Sequence, residues 1–271
     1  MEALRQLLWG VGLVVGVAMP ALAQAPGPLP VAGQSVTIGA ENDAAPWSYP
    51  DGTGFVNDLV REAFRASGWA VQYRVLPYAR CKRMAQVGDL VACFSASQTT
   101  ETEKELQFPA TPVFAAENRV FANADSPLSG CDRTKWGRPL TLGVVHEYEY
   151  VPGVAALRAS GSVRLESTLS EASAVRMLHA RRTDAALITT DAIKRIDYVA
   201  RLAGLQPDFK MVCTLGDLPA YLAFSRRHPQ AQAAMQAFDR GMASLKRSGA
   251  LERLQTDWAQ RALRTAAPEP N

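Results

Sequence analysis

The stretch from Ser95 to Pro109 reads SASQTTETEKELQFP. Ser95, Ser97 and Gln98 offer hydroxyl and amide groups for hydrogen bonding. A run of Thr and Glu follows, with Lys104 as its cation and no arginine. The planar arginine fork is the side chain best matched to a carboxylate, so this stretch lacks the group that would grip one bidentately. A second polar cluster, HEYEY at 146–150, alternates carboxylates with Tyr148 and Tyr150. Glu41 and Glu147 could do acid–base work if buried. No Ser–His–Asp order and no phosphate-binding glycine loop accompanies them. His146, His179 and His228 lie far in sequence from Cys81, Cys93, Cys131 and Cys213, and no CxxC spacing occurs, so no metal site is expected.

These residues need elements to position them. SVTIGA (35–40) reads as a buried strand. In FVNDLVREAFRASGW, Phe55, Leu59, Val60, Ala63 and Phe64 recur at helical spacing and Gly68 is a stop signal. AVQYRVL alternates as a strand, YARCKRMAQVG is a short helix ending at Gly88, and LVACFSA is an apolar strand. The pattern restarts with LTLGVV (140–145), a helix through VPGVAALRASG, the strand VRLEST, the helix LSEASAVRMLHARR and the strand DAALIT. YLAFSRR (221–227) is extended, and two helices close the chain before the polar tail TAAPEPN. Strands alternating with helices imply α/β units with mostly parallel sheets. Two such units, with a strand and helices returning to the first, imply two lobes joined by two crossings. A cleft between them is the expected ligand site.

The 271 residues are 48% hydrophobic and 20% charged, with net charge +3. That composition supports a real core. Lys and Arg are scattered without a basic stripe, so nucleic-acid binding is not expected. At the N-terminus, MEALR precedes the apolar LLWGVGLVVGVAMPALA, and Ala21 and Ala23 form an A-x-A site. A signal peptide over 1–23, cleaved before Gln24, is expected, leaving an exported periplasmic protein. The competing reading is an uncleaved anchor, but the run is short, broken by Pro20 and followed by APGPLP. No cysteine follows the cleavage site, which argues against a lipid anchor there. Four cysteines in an exported chain favour disulfides, with three pairings open.

Four stretches, in order, resemble the bacterial extracellular solute-binding proteins of family 3, which serve ABC importers for amino acids and related polar solutes. They are GAENDAAPWSYPDGTGFVNDLV, RMAQVGDLVACFSASQTTETEKELQFPATPVF, LTLGVVHEYEY with HARRTDAALIT, and FDRGMASLKRSGALERLQTDW. The resemblance implies a two-lobed periplasmic-binding-protein-like fold of type II, with two hinge crossings near 119–123 and 219–224. Lobe one would take 35–118 and 222–265, lobe two 124–218, with a linker at 24–34 and a tail at 266–271. That layout pairs Cys131 with Cys213 and Cys81 with Cys93, as structural bridges. A monomer without cofactor is expected.

The resemblance also exposes a gap. In amino-acid-binding members a T-x-x-R turn follows the lobe-one strand, and its arginine holds the ligand α-carboxylate. Counting back from Phe108 puts that position on Thr102; counting forward from Ser95 puts it on Glu103. Lys104 reads as a solvated surface residue. The aspartate that holds the α-ammonium in lobe two is replaced by Thr189, counting from Asp184; Asp191 reads as a cap for backbone N–H groups. Ligand contacts are then expected from Glu41, Trp47, Tyr78, Ser95, Ser97, Gln98 and Thr189. Arg80 either replaces the missing cation or pairs on an exposed helix face. Tyr148 and Tyr150 either meet the ligand or pack at the hinge. Glu41, Asp43, Glu147 and Glu149 bias the mouth toward a cationic or neutral polar solute. Three functions remain open: delivery to an ABC permease, a sensory module for a kinase or chemoreceptor, and an enzyme like the periplasmic dehydratases that share the scaffold.

Overall fold

The computed structural model describes residues 34–132 and 136–265. The expected signal peptide, its cleavage site and the tail at 266–271 lie outside the described residues. Lobe one begins with β1 (Gln34–Glu41), α1 (Phe55–Ala66), β2 (Trp69–Leu76), α2 (Tyr78–Val87), β3 (Ala92–Ser97) and β4 (Leu106–Gln107). β5 (Phe114–Asn123) leads into β6 (Leu140–Val145), α3 (Pro152–Ala159), β7 (Val163–Thr168), α4 (Glu171–His179), β8 (Ala185–Thr190) and α5 (Ile196–Leu202). β9 (Phe209–Ser225) returns to lobe one, where α6 (Ala231–Arg247) and α7 (Ala250–Thr265) complete it.

Among the described residues the strands form one curled sheet in the order β2-β1-β3-β9-β5-β8-β6-β7, with β4 beside β9. β1 is parallel to β2 and β3, and β6 to β7 and β8. β5 and β9 are antiparallel, paired from Phe114 with Ala220 to Asn123 with Phe209. The C-terminal part of β9 pairs with β3, from Ala220 to Phe224. β5 pairs with β8 from Glu117 to Phe121. Of the residues expected to cross the hinge, Arg119 thus lies against Ile188 of lobe two and Leu222 to Phe224 against β3 of lobe one. The passage between lobes is the ladder in which Phe114 faces Ala220 and Asn118 faces Gly216.

Helices cover both faces of the sheet. The apolar stripe of α1 packs with α6 and α7 against β1 and β3, burying Phe55, Leu59, Phe64, Phe94, Phe238 and Trp258 together. Gly241 lets α1 and α6 meet closely, because a Cβ there would stand 1.8 Å from the Ala63 carbonyl oxygen. Gly54, with φ +136°, lets the loop after β1 fold back on itself; a Cβ would fall 2.4 Å from the Trp47 carbonyl oxygen. The first amides of α1 then hold that loop, Phe55 donating to Pro46 and Val56 to Trp47. This fixes Trp47 over the sheet.

The disulfides are Cys81–Cys93 and Cys131–Cys213. The first ties α2 to β3, the two elements carrying Tyr78, Ser95 and Ser97. The second ties the segment after β5 to β9.

Candidate functional site

Strand ends and loops of both lobes enclose a cavity of about 40 Å³. β1 contributes Glu41, the following loop Trp47, the start of α2 Tyr78, and β3 Ser95 and Ser97. β5 presents Phe114, Ala116 and Asn118 at period two, and β9 adds Leu218 and Ala220. Lobe two closes the space with Tyr148, Glu149 and Thr189. No lysine or arginine is among these lining residues.

The lobes meet through polar contacts at the cavity's edge. The Tyr148 hydroxyl donates to Glu41 at 2.5 Å. The Tyr78 hydroxyl donates to Glu149 at 2.5 Å, and Lys82 pairs with the same carboxylate at 2.7 Å. Trp47 Nε1 donates to Asp191 at 2.9 Å. Tyr49 and Tyr198 share a hydroxyl–hydroxyl bond. The Trp47 ring stacks on Phe114 with centroids 4.0 Å apart, while Lys194 Nζ lies 3.7 Å from the Trp47 centroid. Two groups that close to one ring centre must occupy opposite faces, so Trp47 is clamped from both sides.

Lys194 is buried beneath this clamp and pairs with Glu171. Glu171 also accepts from the Thr189 amide and hydroxyl, at 2.7 and 2.6 Å. A buried ion pair needs such added bonds to offset desolvation. Asp191 accepts from the amides of Ile193 and Lys194 as well as from Trp47, yet burial raises its pKa. Glu41 differs from both. It is 4% exposed, and burial pushes its pKa from 4.5 up to about 7 against the lowering effect of the Tyr148 hydrogen bond. Among the described residues no cation lies within ion-pair distance of it. Two further atoms on the wall have no hydrogen-bond partner, Ser95 Oγ and Asn118 Nδ2.

The expected site residues divide as follows. Glu41, Trp47, Tyr78, Ser95, Ser97, Tyr148 and Thr189 border the cavity. Arg80 is exposed on α2 and not part of the wall. Gln98 is exposed and bonds Glu103 at 2.6 Å. Tyr150 turns into lobe two, where its hydroxyl accepts from the Val145 amide at 2.8 Å, because the 146–150 segment is a loop rather than a strand and brings the adjacent residues Tyr148 and Glu149 inward. The replacements for the family's arginine are equally settled in local roles. Thr102 is buried and donates to the Ser97 carbonyl at 2.8 Å, and Lys104 pairs with Glu101 on the surface. Asp191 caps backbone amides as expected, but in the loop before α5, whose N-cap is Arg195. Glu149 lies on the wall, as its expected place at the acidic mouth implies, while Asn118, Phe114 and Lys194 were not anticipated. The period-two pattern 114, 116, 118 was the available signal for the β5 residues.

Residues 36–261 match the family model for bacterial extracellular solute-binding proteins, family 3. No curated protein matches the chain. Solved structures share the fold at low identity. A histidine kinase sensor domain with similarity to periplasmic binding proteins superposes with TM-score 0.71 at 19% identity, covering 83% of this chain and 95% of that one. The substrate-binding protein of an amino acid ABC transporter gives 0.67 at 16%, covering 83% and 98%. An ancestral amino-acid-binding protein, a precursor of cyclohexadienyl dehydratase, gives 0.66 at 17%, covering 83% and 94%.

Proposed function

This chain belongs to the bacterial extracellular solute-binding proteins of family 3, and from that premise we propose that it is a periplasmic protein capturing a small polar solute, other than a standard α-amino acid, for an inner-membrane ABC importer. One observation carries the restriction on the solute: the cavity wall holds Glu41 and Glu149 but no lysine or arginine. An α-carboxylate placed there would meet like charge and no guanidinium. Glu41, Tyr78, Ser95, Ser97, Asn118, Tyr148 and Thr189 are the contacts we assign, with lobe one over 35–118 and 222–265 and lobe two over 124–218. The solute binds the closed arrangement better than the open one, and so shifts the population that the permease recognises.

A thermal-shift screen of the mature chain, unfolded and refolded to strip carried solute, tests the reading. A solute at a hundred times its dissociation constant adds about 2.7 kcal/mol. Stabilisation by cations or neutral polar solutes, with no response to α-amino acids, is expected; strong stabilisation by ordinary amino acids overturns it. A sensor built on the same fold would use the same capture chemistry. Co-purification from detergent-solubilised membranes with a permease rather than a kinase or chemoreceptor supports the importer reading.

A further inference from the structure

Resting on the reading of this cavity as the solute site, we propose that the solute is a compact amine cation without a carboxylate, its charge seated against Glu41 and a hydroxyl or carbonyl oxygen accepting from Asn118 Nδ2.

Among the described residues every carboxylate at the cavity's edge other than Glu41 has a cation or several N–H donors. Glu149 has Lys82, Glu171 has Lys194, and Asp191 has two amides and the Trp47 indole. Among the described residues the Glu41 carboxylate has only the Tyr148 hydroxyl, although it is buried and borders the cavity. A buried carboxylate without a counter-ion is costly, and a solute cation would supply the missing charge. The surroundings suit one. Tyr78 and Tyr148 meet edge to face with centroids 5.4 Å apart beside Glu41, and aromatic walls attract alkylammonium and guanidinium groups.

Asn118 sets the other end. It is fully buried. The Val151 amide can only donate, and it bonds Asn118 Oδ1 at 3.0 Å, so the side-chain NH₂ of this wall residue is left without a partner. Ser95 Oγ, also unpartnered, lines the same space. The solute therefore carries an acceptor oxygen as well as a cation. Size limits it further. A water-sized group needs about 10–15 Å³. At about 40 Å³ the cavity holds a few water-sized groups, so it suits a compact solute before the lobes must open.

Isothermal titration of the stripped mature chain at pH 8 tests this, with ethanolamine, ethylamine, guanidinium, glycerol, glycine and acetate as probes. Ethanolamine is expected to bind and ethylamine, which lacks the acceptor, to bind about tenfold more weakly. Glu41→Gln, checked for native circular dichroism, should weaken ethanolamine about thirtyfold while keeping the side-chain shape. If glycerol or glycine binds and Glu41→Gln leaves its affinity unchanged, the cation inference falls and solute capture stands. Ethanolamine binding that Glu41→Gln does not weaken also overturns the inference. If none of the probes binds, the inference falls; the broader screen decides the capture reading separately.

Discussion

Glu41 is the residue whose chemistry the fold leaves most exposed to test. Burial penalises the charged form and pushes its carboxyl from the ordinary 4.5 up to about 7. Between those values the folded chain holds one more proton than the unfolded chain. The empty protein's stability should therefore fall as pH rises from about 4.5 to about 7, by about 3 kcal/mol in all, and then level. Urea titrations across pH check this. Glu41→Gln should flatten that part of the profile, and an unchanged slope in the variant would place the titrating group elsewhere. Asp191 and Asp43, also raised by burial, tilt the curve the same way from a lower pH and persist in the variant.

Elements decide which side chains reach the cavity. The loop between β8 and α5 carries Lys194 under Trp47, with Glu171 rising from the start of α4 to meet it. Lys194→Met should cost about 3–5 kcal/mol in a denaturant titration, since it leaves Glu171 buried without its cation. Pairing it with Glu171→Leu should recover much of that loss; a double variant as unstable as the single would show that the charge pair is not the cause. The parallel strands and every helix but α5 were legible because their apolar positions repeat at helical or strand spacing, as Phe55 to Phe64 and Leu140 to Val145 do, whereas the seven-residue α5 was not read. β9 was read only from Tyr221 onward, because Gly216, Asp217 and Pro219 interrupt its pattern; pairing with β5 on one side and β3 on the other outweighs that local preference. Asn118 was missed for the same reason, as its place on the wall follows from that ladder. Arg80 and Gln98 were placed near the site by chain order, but the turn of α2 and the exit of β3 point them to solvent.

At the scale of the molecule, the lobes close on contacts that exist only when they touch. Glu149 makes three of them, to Tyr78, Lys82 and the Ser97 amide. Glu149→Ala should shift the empty chain toward open forms and raise its radius of gyration in small-angle scattering; an unchanged radius would mean that other contacts suffice. The disulfides act on the unfolded chain instead. Their separations of 12 and 82 residues imply losses on reduction of about 3 and about 4.5 kcal/mol. The central claim concerns what the closed cavity holds. The most direct measurement is to purify the chain from cells that produce it without unfolding it, then denature it and identify the released small molecule by mass spectrometry. The account predicts a compact, carboxylate-free polar solute carrying an amine. Release of an ordinary α-amino acid in stoichiometric amount would contradict it.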